Sequence, residues 1–112
     1  MSSSLVYTIK VQDASLMRDF INRSLSYNSR IDIDRVIMDT DGVVTLDLTQ
    51  LGAGDSPSTL FVFASKEITV TINGTEIQVQ NFLFMDVTNL TSLSVSCSDA
   101  VGAQVLAVVW GS

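Results

Sequence analysis

The chain has 112 residues, a net charge of −6 and only 6 lysine and arginine residues. This balance disfavours both non-specific nucleic-acid binding and binding to an anionic membrane surface. It has no histidine that could activate a serine or the one cysteine as a nucleophile, and a single cysteine forms no intrachain disulfide. We therefore expect neither an enzyme nor a bound cofactor. Hydrophobic residues make up 46% of the sequence, so we expect part of the apolar surface to be buried against other subunits.

The first quarter of the chain predicts one strand and one helix. Residues 5–11 alternate between apolar and polar side chains, as a strand with one buried face does. Apolar residues then recur at helical spacing, and Asp13 or Ser15 is positioned to cap a helix. We predict one short amphipathic helix over about residues 14–24, with apolar residues at Leu16, Met17, Phe20, Ile21 and Leu25. The N-terminal residues lack the features of a signal peptide, which predicts a soluble protein made in a host cytoplasm.

The middle of the chain predicts three further strands separated by turns. These strands cover residues 31–38, 43–49 and 60–64. Gly42 is expected at a left-handed position in the turn between the first two. Residues 52–58 include two glycines and the only proline, Pro57, and we predict a mobile surface loop there.

A β-hairpin is predicted for residues 68–79, ITVTINGTEIQV. Apolar and polar residues alternate on both sides of Asn73-Gly74, and this dipeptide suits a type I′ turn because both central residues need positive φ. A two-residue loop also fixes the register. The predicted cross-strand pairs are Ile72 with Thr75, Val70 with Ile77, and Ile68 with Val79.

The last third of the chain predicts three more strands. Residues 82–85 are an apolar run, and residues 91–97 alternate in a way that buries Cys97. Residues 103–110 are apolar on both faces from Val105 onward, which is typical of a strand that is central or covered by another subunit. The sequence thus predicts one mainly β domain over residues 1–112, a β-sandwich or jelly-roll-like fold with about eight short antiparallel strands and one short helix.

Few side chains suggest chemistry or binding. Asp39 and Asp41 lie in a DTDG turn, but the glutamate that ends a calcium-binding loop is absent, so they are only a weak candidate metal site. Trp110 is expected either to pack in the core or to contact a partner. Four phenylalanines favour core packing over a base-stacking platform, because no cations lie between them; they are Phe61, Phe63, Phe82 and Phe84.

Residues 60–111 resemble small structural proteins of tailed bacteriophages. The resemblance is carried by EITVTINGTEIQVQNFLFMDVTNLTSLSVSCSD and by the closing AQVLAVVWG. It implies a virion component, and first of all a capsid decoration (cement) protein. Such a protein would bind the outside of the phage head, stabilise contacts between major capsid subunits and assemble as a trimer. Under this hypothesis the interface residues are Trp110, Val108, Leu106, Phe82, Phe84 and Pro57.

Two other hypotheses remain open from the sequence. One is a tail- or fibre-associated adhesion module that binds a host surface glycan. Residues 52–58 with Asp39 and Asp41 would then form its binding site, with or without calcium. The other is a structural subunit of a non-viral assembly, which would share every physical feature of a decoration protein.

Overall fold

The computed structural model describes residues 3–13, 15–86 and 89–112, which form ten strands and two short 3-10 helices. The strands are β1 (Ser3–Asp13), β2 (Leu16–Tyr27), β3 (Ser29–Ile37), β4 (Val44–Leu46), β5 (Pro57–Ala64), β6 (Ile68–Ile72), β7 (Thr75–Val79), β8 (Phe82–Asp86), β9 (Leu93–Ser96) and β10 (Ala103–Gly111). The 3-10 helices span Asp39–Asp41 and Leu48–Gln50. The prediction of a mainly β protein is therefore confirmed.

Eight of these strands form a sandwich of two antiparallel sheets. The front sheet has the strand order β3-β10-β5-β8, and the back sheet has the order β4-β9-β6-β7. Every connection between consecutive sandwich strands crosses to the other sheet, except the β6–β7 hairpin. The remaining strands, β1 and β2, pair with each other in a separate two-stranded sheet, which we call the arm.

The hydrophobic core lies between the two sheets. Alternate residues of each central strand point inward, so the period-2 pattern of the sequence becomes a buried face. Each fully buried aliphatic side chain stabilises the fold by about 1.5–3 kcal/mol, whereas the surface ion pairs contribute about 0–1 kcal/mol each. Burial therefore dominates the stability. The largest fully buried aliphatic residues are Ile37, Leu60, Ile68, Leu93, Val62, Val70, Val95, Val105 and Val109.

The predicted hairpin of residues 68–79 is confirmed in its turn and its register. Strands β6 and β7 pair Ile72 with Thr75, Val70 with Ile77, and Ile68 with Val79. Asn73 has φ 51° and Gly74 has φ 86°, the positive values that a type I′ turn requires. The predicted register and turn agree with the structure because both depend only on residues that are near each other in the sequence.

The predicted helix over residues 14–24 is wrong, because residues from Leu16 onward form β2. Residue 14 itself lies outside the described part. Strand β1 has 11 residues, whose backbone donors and acceptors need partners, and β2 supplies them along almost the whole length. The apolar residues have helical spacing, but the segment pairs with β1 instead. The spacing within one segment does not reveal such pairing with another segment.

Two further segments differ in detail from the prediction. The strand expected over residues 43–49 is shorter, since β4 ends at Leu46 and a 3-10 helix follows. Asp47 caps that helix, because its Oδ1 accepts a hydrogen bond from the Thr49 amide at 3.0 Å. Gly42 has the expected positive φ, 65°, and the loop expected over residues 52–58 ends earlier, where β5 begins at Pro57.

Candidate interaction surface

The outward side of the front sheet is apolar at its centre. Strand β10 buries Val105, Ala107 and Val109 in the core, so the residues between them point away from it. Strand β5 does the same beside it. Together with β8, these strands present one continuous surface, the outer face, which consists of Leu106, Val108, Trp110, Phe61, Phe63, Phe82 and Phe84.

The strand register brings these side chains into rows across the sheet. Leu106 lies opposite Phe63, and Phe63 lies opposite Phe82. Val108 lies opposite Phe61, which in turn lies opposite Phe84. Directly opposed side chains on one face of an antiparallel sheet are close enough to pack together, so the apolar residues of three strands form one surface.

Aromatic rings pack on this surface and link it to the arm. The Phe61 and Phe82 ring centroids are 6.4 Å apart, and those of Phe61 and Phe84 are 6.5 Å apart. Tyr7 of β1 packs on Phe84 with a centroid distance of 4.7 Å and an interplanar angle of 45°, a tilted arrangement that aromatic pairs favour. The arm therefore covers one end of the outer face.

The other end of the outer face is open to solvent. Phe63 is 43% exposed and Phe82 is 66% exposed. Most proteins of this size expose single apolar side chains without consequence, but these two are directly paired neighbours on β5 and β8. An exposed aromatic pair that continues into a larger apolar surface indicates a contact site for another molecule.

The structure places five of the six predicted interface residues together on the outer face. Trp110, Val108 and Leu106 lie on β10, and Phe82 and Phe84 lie on β8, two strands away. Pro57 is half-buried at the start of β5, opposite Gly111 rather than within the aromatic rows. Trp110 is half-buried on the outer face and does not belong to the core cluster of the described residues.

The expectation that the four phenylalanines pack in the core is wrong. Phe61 and Phe63 alternate with Leu60, Val62 and Ala64, and it is this second set that is buried between the sheets. Strand β5 is thus apolar on both faces, as β10 is. Residues 60–64 have no polar position, so the sequence indicates a strand that is apolar on both faces. It does not indicate which set of side chains faces inward.

Carboxylates border the outer face. On β3, Asp32 and Asp34 lie opposite Val108 and Leu106. Asp34 accepts a hydrogen bond from the Gln104 side chain at 2.8 Å, and Asp32 forms an ion pair with Arg30 at 3.4 Å. On the far strand, Asp86 lies opposite Thr59. Three carboxylates and one guanidinium give this border a net negative charge.

In the acidic turn at Asp39 and Asp41, the Asp41 side chain caps the backbone. One Asp41 oxygen accepts a hydrogen bond from the Met38 amide at 2.8 Å, and the other lies 3.3 Å from the Arg35 guanidinium. Within the described residues, no group of three or more cysteine, aspartate and glutamate side chains is arranged to hold a metal ion. The turn is therefore a structural cap that is closed by an ion pair.

Hydrogen bonds hold the loop before β5 against its surroundings. Asp55 accepts a hydrogen bond from the Ser29 hydroxyl at 2.7 Å, and that hydroxyl accepts one from the Gly52 amide at 3.0 Å. Ser56 and Ser112 exchange two backbone hydrogen bonds, at 3.0 and 3.1 Å. These hydrogen bonds join the loop to the start of β3 and to Ser112. The mobility of residues 52–58 stays a prediction.

A polar groove opens at the far end of the β6–β7 hairpin. It has a volume of about 440 Å³ and is lined by residues that include Lys66, Gln78 and Asp99. Lys66 forms an ion pair with Asp99 at 3.3 Å. Hydrogen bonds from the Val101 and Gly102 amides lower the pKa of Asp99 below its ordinary value, and the hydrogen bond with Lys66 adds to this. The groove therefore contains a carboxylate that is fixed in position and charged at neutral pH.

The hairpin turn is attached to a distant loop through one asparagine. Asn73 Oδ1 accepts hydrogen bonds from the Thr91 amide at 2.7 Å, the Ser92 amide at 3.1 Å and the Thr91 hydroxyl at 3.0 Å. Its Nδ2 donates to the Asn89 carbonyl at 2.7 Å. One turn residue thus positions the segment that leads into β9, which the sequence did not indicate.

No protein-family model matches the chain, and no curated protein matches it. The structure also offers no helix, among the residues that it describes, with the length and apolarity needed to cross a bilayer.

Proposed function

We propose that the chain is a capsid decoration protein that binds the outside of a tailed-phage head and stabilises contacts between major capsid subunits. The observation that supports this most is the outer face, which brings Trp110, Leu106, Phe82 and Phe84 onto one surface whose Phe63–Phe82 end is exposed. A protein that acts by contact needs such a surface and needs no reactive groups.

The strand order supports the same proposal at the level of fold. Counted from one to eight, the sandwich strands have the orders 1-8-3-6 and 2-7-4-5, from which we infer a jelly roll. Viral capsid domains are often built on this architecture, but lectin domains and cupins are too. The fold is therefore compatible with a virion protein, but the functional proposal depends on the outer face and not on the fold.

Rigidity is the second property that a decoration protein needs. The core between the sheets, the Asn73 attachment of the hairpin and the bonded loop before β5 fix the surface of each copy. A copy that contacts two neighbouring capsid subunits at once binds more strongly than through either contact alone, because the first contact raises the effective concentration of the second. A small rigid domain is suited to stabilise a shell in this way.

The test is co-sedimentation with heads of the tailed phage that encodes this chain, assembled without it. We expect saturable binding of the natural chain. The double variant Phe63→Ser/Phe82→Ser is expected to bind more than tenfold more weakly, because it removes the exposed aromatic pair. Val43→Ser is the matched control, since Val43 is 67% exposed and lies outside the outer face. Absence of binding, or equal loss in both variants, would refute the proposal.

A second candidate is an adhesion module of a tail or fibre that binds a host surface glycan. The polar groove beside Lys66 and Asp99 favours it, because sugar recognition uses fixed carboxylates and amides such as that of Gln78. This groove differs from the site expected at residues 52–58 and at Asp39 and Asp41. Binding on a glycan array that is lost in Gln78→Ala would support the adhesion module, and an array without signal would remove it.

A further inference from the structure

Strand β3 is the longest exposed edge of the sandwich. It lies at one side of the front sheet, where it pairs with β10 along all nine of its residues and with no other strand of the described chain. The other edge strands of the two sheets, β4, β7 and β8, have three to five residues. On β3 the Arg30 and Asp32 side chains are 53% and 48% exposed, so solvent reaches this edge. A long unpaired edge is a template on which another strand can pair.

The backbone groups that face outward from β3 follow from the hydrogen bonds of β10. The Ser65 amide donates to the Gln104 carbonyl at 3.1 Å, so even-numbered residues of β10 bond to β5. Neighbouring residues of a strand bond to opposite sides, so the odd-numbered residues of β10 bond to β3. In the register of this pair, odd residues lie opposite odd residues. The N–H and C=O groups of Arg30, Asp32 and Asp34 therefore point to the open side of the sheet.

A groove opens on the inward side of the same edge, where the two sheets part. It has a volume of about 160 Å³ and lies between β3 of the front sheet and β4 of the back sheet, with the 3-10 helix that follows β4. Its apolar lining comes from Ile31, Ile33 and Leu46. The two isoleucines are half-buried and pack on the core. An apolar side chain placed in this groove would extend the core along β3.

The edge carries net negative charge. Asp32 and Asp34 lie on the outward side of β3, and Asp47 lines the groove. Arg30 pairs with Asp32, whereas Arg35 forms its ion pair with the acidic turn instead. Three carboxylates and the Arg30 guanidinium leave a charge of −2 at neutral pH. Such an edge attracts a cationic partner and repels an anionic one.

We propose that an extended basic segment of another protein binds at this edge as a fifth strand of the front sheet. Its backbone would pair with the open N–H and C=O groups of β3. Residues directly opposite each other in a sheet point to the same face. Partner side chains beside Ile31 and Ile33 therefore reach the groove and should be apolar, whereas those beside Asp32 and Asp34 should be lysine or arginine. The IDID stretch of β3 thus predicts a partner that alternates apolar and basic residues.

The charges of β3 also argue against pairing with a second copy. Charged side chains on an edge strand prevent unwanted pairing, and a second β3 would bring the same net negative charge. A basic strand is attracted instead. The inference goes beyond the proposed function, because β3 lies at the opposite edge of the front sheet from Phe82. Head binding through the outer face and segment binding at β3 can therefore fail separately.

The experiment adds a nine-residue peptide of alternating lysine and valine to the isolated chain and follows amide hydrogen exchange by NMR. In the free chain the amides of Arg30, Asp32 and Asp34 should exchange at least about tenfold faster than those of Ile31 and Ile33, which bond to β10. Saturating peptide should slow the three fast amides at least about tenfold. A peptide of the same composition without the alternation should bind at least about tenfold more weakly.

Charge-swapped variants separate lost binding from lost folding. Asp32→Lys/Asp34→Lys should lose the lysine–valine peptide and bind a glutamate–valine peptide instead, which requires a folded edge. The matched control is Glu67→Lys/Glu76→Lys, which makes the same change in net charge at exposed residues outside β3. At about 0.15 M salt, where distant charges are screened, the control should bind the lysine–valine peptide as the natural chain does.

Four results would overturn the inference. They are unchanged exchange of the three amides with peptide, equal binding of the peptide without alternation, equal loss of binding in both variants, and slow exchange of these amides in the free chain that increases with protein concentration. The last result would show that a second copy occupies the edge.

Discussion

Replacing Asn73 by alanine is predicted to destabilise the protein by about 3 kcal/mol. The substitution removes four side-chain hydrogen bonds to residues 89–92, and at an exposed site each contributes roughly 0.5 kcal/mol, the low end of the usual range. It also places a Cβ residue without a polar side chain at φ 51°, which costs about 1 kcal/mol. Such a loss is a large part of the usual stability of a small domain.

Two variants separate these contributions. Asn73→Gly loses the same hydrogen bonds but accepts positive φ, so its cost is expected to be about 2 kcal/mol. Asn81→Ala changes an exposed asparagine just beyond the same hairpin and should change stability by less than about 0.5 kcal/mol.

Denaturant unfolding measures all three free energies, and the melting temperature of Asn73→Ala should fall by about 10 °C. The reasoning would be refuted if Asn73→Ala cost no more than Asn81→Ala, since the bonds to residues 89–92 would then be without effect. Equal costs for alanine and glycine at position 73 would show that backbone conformation contributes nothing there.

Three other substitutions test separate parts of the account. Gly102→Ala should lower the free energy of unfolding by about 2–4 kcal/mol, measured by denaturant unfolding. The reason is that Gly102 has φ +96° and an added Cβ would lie 2.9 Å from the Ile37 carbonyl oxygen. Gly54→Ala is the control and should cost less, because Gly54 has φ +82° but open space around it. Asp99→Asn keeps the acceptor but not the charge. Since the pKa of Asp99 is lowered, its charge stabilises the fold above the ordinary pKa of 3.8. The difference in free energy of unfolding between the natural chain and Asp99→Asn should therefore vanish as pH falls through the lowered pKa. A difference that does not change with pH would contradict this. Trp110→Ala should weaken head binding at least tenfold, and unchanged sedimentation would remove Trp110 from the contact.

The elements that depend on near neighbours were predictable from the sequence. Alternation and the Asn73-Gly74 turn predict the β6–β7 hairpin to the residue. The apolar closing segment predicts β10, which carries three of the seven outer-face residues, Leu106, Val108 and Trp110. These signals are local, since a two-residue turn and a period of two are complete within a dozen residues.

The elements that depend on distant partners were not predictable. The segment from Leu16 becomes β2 because β1 pairs with it, and its apolar spacing alone favours a helix. Phe61 and Phe63 face outward because β5 lies between β10 and β8 with its other face on the core. In a strand that is apolar on both sides, only the neighbouring sheet decides which set of side chains is buried.

The most direct test of the central claim is an electron cryomicroscopy reconstruction of phage heads that carry the bound chain. The account predicts that the shell covers the outer face, with Phe63 and Phe82, while the β6–β7 hairpin of the back sheet remains open to solvent. A reconstruction in which the back sheet meets the shell and Phe63 and Phe82 stay exposed would contradict it.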